Sequence, residues 1–342
     1  MAYFGIMDSR WSYRRGDVVN LKKIILLTAS SFVIALLIPY ITISRADSST
    51  PDDPLAPNTD TYTFYIPFVI RSSNPPAPTP GNRIVINHQS LSLFNQIPDN
   101  YIQAASQLKL LFRHASVGYN ISEGLNCLMN EIQPRPSFCD QNLPSDQIIF
   151  DPKYNRSNWV FEFHLPPPSQ NPGWWDKYYL FADRVDNPAP NENFYVYGFK
   201  FGYVDGNEGS LIDDLFFHNN PNDTFPSIDD MLALEARHPN KKILYWTMAL
   251  ARSSFADSQS FNQQMRNFAL TNGKILMDIA AIESHRPDGT PCYDNGGRGI
   301  EALCQDYTDE INGGHLNALG MQRMAKAMWI MMARIAGWNG QP

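Results

Sequence analysis

From Leu108 onward, short apolar runs alternate with segments of helical period, and this alternation restricts the fold more than any other feature of the chain. Leu108-Lys-Leu-Leu-Phe112 reads as a strand, and Val117, Ile121, Leu125 and Leu128, spaced 4, 4 and 3, mark one helix face. Tyr195–Phe201 is the next strand. Ser227, followed by Asp229 and Asp230, opens a helix that runs to about His238. Lys242–Thr247 is a third strand, residues 258–271 a helix stopped by Asn272-Gly273, and Lys274–Asp278 a fourth strand. The last helix carries Met321, Met324, Met328, Met331 and Ile335 at spacings of 3, 4, 3 and 4, a stripe suited to core packing. Strands alternating with helices predict an α/β fold with a central parallel sheet covered on both faces. Functional groups of such sheets gather at the carboxyl ends of the strands.

The N-terminal region has a different composition. Ile24 to Ile43 are twenty consecutive uncharged, mostly apolar residues, enough for a helix to cross a bilayer core of about 30 Å. Arg10, Arg14, Arg15, Lys22 and Lys23 precede them against only Asp8 and Asp17, a bias that keeps residues 1–23 cytoplasmic and sends the rest outward. Ser44-Arg45-Ala46 offers small residues for signal-peptidase cleavage, while the long apolar run suits a retained anchor. Residues 24–46 are therefore a signal peptide or a signal anchor. From 47 to 81 the chain is rich in Pro, Ser, Thr, Asp and Asn, with prolines at 51, 54, 57, 75, 76, 78 and 80, and reads as a spacer. A folded domain from 82 to 342 follows, expected outside the cell or on its surface.

Four cysteines fit that location. Cys127 and Cys139 are twelve apart, as are Cys292 and Cys304, and an even count in an exported chain suggests two local disulfides among three possible pairings. Neither pair has Cys-x-x-Cys spacing and the histidines show no ligand spacing, so no metal is expected. The net charge of −7 argues against a nucleic-acid partner, which needs a basic face. Contact with a membrane is expected only through the N-terminal segment.

Two loops carry residues capable of chemistry. Arg113-His-Ala-Ser-Val-Gly-Tyr-Asn-Ile121 places Ser116 between a strand end and a helix start, where free N–H groups and the positive end of the helix dipole face the crevice. A serine there is either a nucleophile or a plain helix N-cap. Gly118 permits close backbone approach, His114 and Asn120 flank the crevice, and all three are candidate oxyanion or substrate-binding groups. Near the other end, His315 sits in the glycine-flanked loop Asp309-Glu-Ile-Asn-Gly-Gly-His315, directly before the final helix. Such a histidine is either idle in solvent or able to exchange a proton with Ser116.

With both loops in place, the chain resembles the SGNH (GDSL-like) hydrolases from about Leu108 to Trp338, as a divergent member. His-Ala-Ser-Val-Gly at 114–118 looks like the His-x-Ser-Val-Gly form of the serine block, and Gly-His-Leu-Asn at 314–317 like the histidine block. Gly202-Tyr-Val-Asp205 corresponds roughly to the block carrying a backbone oxyanion donor, here Gly202. The resemblance implies a flavodoxin-like three-layer α/β/α fold and ester hydrolysis through a serine-bound acyl intermediate, without a cofactor. The Gly-Asp-Ser opening and the Gly-x-Asn-Asp block are absent, and the aspartate expected three positions before the histidine is Asn312. Asn312, or Asp309 if the loop folds back, is the group expected to orient His315.

The expected activity is an exported serine esterase or deacetylase acting on an acylated carbohydrate or small ester. The alternative is a catalytically weak or silent surface protein that binds glycans in the same crevice. Residues 131–193 read as an insertion rich in aromatics (Trp159, Phe161, Phe163, Trp174, Trp175, Tyr178, Tyr179, Phe181), more simply a small subcore stapled by Cys127–Cys139 than a stacking surface for sugars.

Overall fold

A computed structural model describes residues 83–129, 134–218 and 225–341. The basic segment 1–23, the apolar run 24–46 and the spacer 47–81 lie outside the described residues. Among those described, no helix is long and apolar enough to cross a membrane.

Six strands form one fully parallel sheet: β1 (Ile84–Ile86), β2 (Leu110–His114), β3 (Trp159–Phe163), β4 (Val196–Phe199), β5 (Lys242–Trp246) and β6 (Ile275–Met277). Their spatial order is β1-β6-β5-β4-β2-β3. Leaving aside β1, which joins the far edge, the order has the flavodoxin-like pattern of doubly wound folds, with its topological switch point between β2 and β4. Ligand crevices form at that point, and Ser116 follows β2 directly.

Side chains of successive strand residues face opposite layers. Leu110, Phe112, Leu244, Trp246 and Met277 join the core under α1 (Asp99–Gln107), α2 (Val117–Met129) and α8 (Ala318–Ile335). Leu111, Tyr197, Ile243, Tyr245 and Leu276 join the core under α3 (Trp174–Asp186), α5 (Ile228–Arg237) and α6 (Ala256–Thr271). The fold is therefore α/β/α. Short helices α4 (Ile212–Leu215) and α7 (Ile279–Ser284) complete it. Met324, Met328 and Met331 are buried in the first core, each contributing about 1.5–3 kcal/mol of apolar burial.

The segment 131–193 is not an insertion with its own subcore. Its residues 159–163 form edge strand β3, in register with β2 from Leu110↔Trp159 to His114↔Phe163, and α3 covers the sheet. Trp159 packs on Trp329 of α8 at a ring separation of 4.5 Å, and Trp174, Tyr178 and Phe181 belong to the second core. Its aromatic residues are those of a half-buried edge strand and of the helix that covers the sheet beside it. Cys127–Cys139 and Cys292–Cys304 are both bonded, with Cα separations of 5.4 and 5.2 Å. Two disulfides fit an oxidising, extracellular environment.

Helices α2 and α8 lie side by side, and their starts carry the two loops. Gly124 makes this possible: a Cβ there would overlap the carbonyl of Met321 in α8. Without a side chain at that position, the two backbones approach closely and bring both helix N-termini to one place.

Candidate active site

Ser116 lies in the turn between β2 and α2 with φ of 50°, in the left-handed region, which costs a residue other than glycine about 1–3 kcal/mol. Its carbonyl accepts from Tyr119 N–H at 2.7 Å, which ties the turn to the helix start. The strained turn presents the hydroxyl outward, where its Oγ is 2.6 Å from Nε2 of His315. Two side chains 199 residues apart are thus in hydrogen-bond contact.

The other ring nitrogen of His315, Nδ1, is 2.7 Å from Oε1 of Glu310, and Oε2 of the same carboxylate accepts the His315 backbone N–H at 3.0 Å. One carboxylate therefore fixes both the ring and its backbone. Burial alone would raise the Glu310 carboxyl, but the hydrogen bonds and charge of His315 outweigh it and hold Glu310 below its usual range. An imidazole protonated at Nδ1 donates to Glu310 and leaves Nε2 free to accept from the serine hydroxyl.

The orienting carboxylate is neither of the two expected. Asn312 faces away from the ring: its Oδ1 accepts from Ser253 Oγ at 3.1 Å and Asn295 Nδ2 at 2.8 Å, and its carbonyl accepts from Ser253 N–H. Asp309 is 3.4 Å from Asn317 Nδ2, near the start of α8. Glu310 reaches back because Gly313 leaves room: a Cβ at 313 would collide with the Glu310 carboxylate. The Gly313-Gly314 pair was the available signal for that return.

The expected oxyanion and substrate groups are also engaged elsewhere. Gly118 N–H donates to the Ala115 carbonyl at 2.9 Å as part of the helix start. Gly202 N–H donates to Asp205 Oδ2 at 2.7 Å, and the same oxygen receives Lys177 Nζ at 2.5 Å in a buried ion pair. His114 is 2% exposed beneath the turn, and burial, then Lys200 and Arg113, push its imidazole down to about 3. Asn120 Oδ1 accepts the Leu316 N–H at 3.1 Å. The backbone N–H groups of Gly118 and Gly202 are thus engaged within their own turns, and Asn120 Oδ1 holds the histidine loop. What remains at the helix start is Val117 N–H, which as the first helical residue has no intrahelical acceptor, beside the N–H of Ser116 itself.

The Ser116–His315–Glu310 contacts are open to solvent, with side-chain exposures of 45% for His315 and 39% for Glu310. Tyr203 packs edge-on against the His315 ring at 5.8 Å. Tyr119, 48% exposed, stacks on Phe163 at 6.0 Å, so an aromatic face lies three residues from the serine. A cavity of about 570 Å³ opens at the amino ends of the strands, lined by Ile84, Lys242, Lys274 and Ile275, at the opposite end of the sheet. Among the described residues, no group of three or more His, Cys, Asp or Glu side chains is placed to hold a metal ion.

No protein-family model matches the chain, and no curated protein matches it. Among solved structures, a Bacteroides fragilis protein described as a "putative acylhydrolase" is similar at 14% identity and a TM-score of 0.36, over 70% of this chain and 96% of that one.

Proposed function

We propose that the chain is an exported serine hydrolase of the SGNH type, an esterase or deacetylase acting on acylated carbohydrate or a small ester. The observation that carries this reading is the Ser116–His315–Glu310 relay, with contacts of 2.6 and 2.7 Å, at the switch point of a parallel sheet. In the proposed reaction, Ser116 Oγ attacks the ester carbonyl as His315 Nε2 takes the hydroxyl proton. The Oγ–carbon bond forms, and His315 returns the proton to the departing alcohol as its bond to the acyl carbon breaks. Water then attacks the acyl-serine, with His315 first accepting its proton and then returning one to Ser116, releasing the acid. Glu310 carries the charge opposite the imidazolium, and the N–H groups of Ser116 and Val117 face the developing oxyanion.

The exposed Tyr119 ring favours a sugar-bearing substrate, because a flat aromatic face offers large contact area at low entropic cost. Export is supported by the two disulfides and by the basic, apolar N-terminal sequence. The rival reading, a silent glycan-binding protein, is favoured by the engaged N–H groups of Gly118 and Gly202. Incubating the purified full chain with p-nitrophenyl acetate and a fluorophosphonate separates the two. Turnover and covalent labelling that disappear in Ser116→Ala support the hydrolase. A chain that neither labels nor turns over ester is the binder.

A further inference from the structure

Holding an exposed histidine at hydrogen-bond distance from a serine on another element needs a connection between the two loops. Most contacts that shape the histidine loop come from its own half of the chain. Glu310 grips His315, Arg252 N–H donates to the Gly313 carbonyl at 2.8 Å, Ser253 N–H to Asn312 at 3.1 Å, and Asn317 N–H to Tyr307 at 2.9 Å. These contacts shape the loop but do not place it against the serine turn.

Asn120 makes that link. It lies on the first turn of α2, where its N–H is 3.4 Å from the Ser116 carbonyl, and its Oδ1 accepts the N–H of Leu316, the residue after the histidine, at 3.1 Å. Among the described residues this is the one hydrogen bond recorded between α2 and residues 310–317. Leu316 is 4% exposed and joins the core, so the bond holds the loop at its buried point.

We infer that Asn120 is a positioning residue, which sets the distance between His315 and Ser116 through the Leu316 amide; this rests on the hydrolase reading. Asn120 touches neither reacting atom. Its effect is on geometry, where a misplacement of about 1 Å can cost about a hundredfold in rate.

The test compares Asn120→Leu, which keeps the branched outline but loses the acceptor, with Asn120→Asp, which keeps an acceptor. Ester turnover across pH, thermal midpoint and hydrogen exchange at the Leu316 amide are measured in the full chain. Asn120→Leu is expected to lower kcat by about ten- to a hundredfold with KM within about twofold, to melt only a few degrees lower because the Leu316 N–H loses its acceptor, and to show faster Leu316 exchange. Asn120→Asp is expected to recover most of kcat and to move the acid limb of the pH profile upward, because a carboxylate near the ring favours the imidazolium. Parental kcat in Asn120→Leu overturns the inference. So does a loss of kcat that tracks a loss of thermal midpoint and is not recovered by Asn120→Asp. If the parent itself hydrolyses no ester, the hydrolase reading falls, and exchange decides the tether alone: accelerated in Asn120→Leu supports it, unchanged sinks it.

Discussion

At the scale of single residues, Glu310 decides whether the Ser116–His315 contact can act as a relay. A carboxylate at Nδ1 selects the tautomer and opposes the charge that appears on the ring, and an amide supplies less of both. Glu310→Gln is expected to lower kcat about a hundredfold or more with KM little changed, measured as ester turnover or as the rate of fluorophosphonate labelling. Asn312→Asp is expected to stay within about twofold of the parent. Its Oδ1 already accepts from Ser253 and Asn295, bonds that an aspartate retains. A severalfold gain in Asn312→Asp would return the orienting role to that position. Ser116 and His315 could be read from the sequence because each lies at a boundary between elements, where composition changes abruptly. Glu310 could not be read by spacing from a motif. Its reach depends on how the loop turns back at Gly313, a property of three-dimensional path rather than of residue order.

At the scale of elements, the site depends on how closely α2 and α8 pack. Helix α2 begins just after Ser116 and α8 shortly after His315, so their separation sets that of the two side chains. Gly124→Ala places a methyl group against the Met321 backbone, which cannot rotate away as a side chain could. Overpacking of this kind costs about 1–3 kcal/mol. The variant is expected to melt several degrees lower and to label with fluorophosphonate more slowly than its stability loss explains, since the helix starts are forced apart. Normal labelling at a lowered melting point would mean that the two loops hold their geometry independently of the helices. Strands β2, β4, β5 and β6 were legible because each contains an unbroken apolar stretch (110–112, 196–199, 243–246 and 275–277), as buried parallel strands require. Strand β1 was missed because Ile84–Ile86 is three residues long and follows a proline-rich stretch. Strand β3 was hidden because its run, Trp-Val-Phe-Glu-Phe, contains Glu162. That charge is accommodated by Arg113 of the neighbouring strand at 2.9 Å and by Arg184 of α3 at 3.2 Å, partners that no local pattern displays.

At the scale of the whole molecule, a layer of buried ionisable groups under the site ties stability to pH. His114 ends β2, and its carbonyl accepts the N–H of His164, which follows β3. Burial, then Lys200 and Arg113, push His114 down to about 3; burial, then Lys177 and Arg113, push His164 down to about 2. In the unfolded chain both titrate near 6.5. Between those limits the unfolded state binds protons that the folded state refuses, so stability is full above about pH 6.5 and falls on acidification by about 1.4 kcal/mol per pH unit for each imidazole. Glu283 works in the opposite direction, since burial raises its carboxyl and lets the folded state take up a proton first, while Lys200 is lowered by the same burial. The carboxylates held low by arginines, Glu162 and Glu301, lose their contribution only below about pH 4.5. Parent slopes therefore mix several groups, and a difference between variants isolates one. His164→Phe suits this purpose, because among the described residues neither ring nitrogen of His164 has a hydrogen-bond partner and the ring already meets Phe199 edge-on at 6.4 Å. Denaturant unfolding from pH 7 to pH 5 is expected to show parent and variant diverging below pH 6.5, with the variant retaining about 2 kcal/mol more of its pH 7 stability at pH 5. Parallel curves would mean that the folded chain takes up a proton on His164 as readily as the unfolded one, and that burial beside Lys177 and Arg113 does not hold this imidazole neutral.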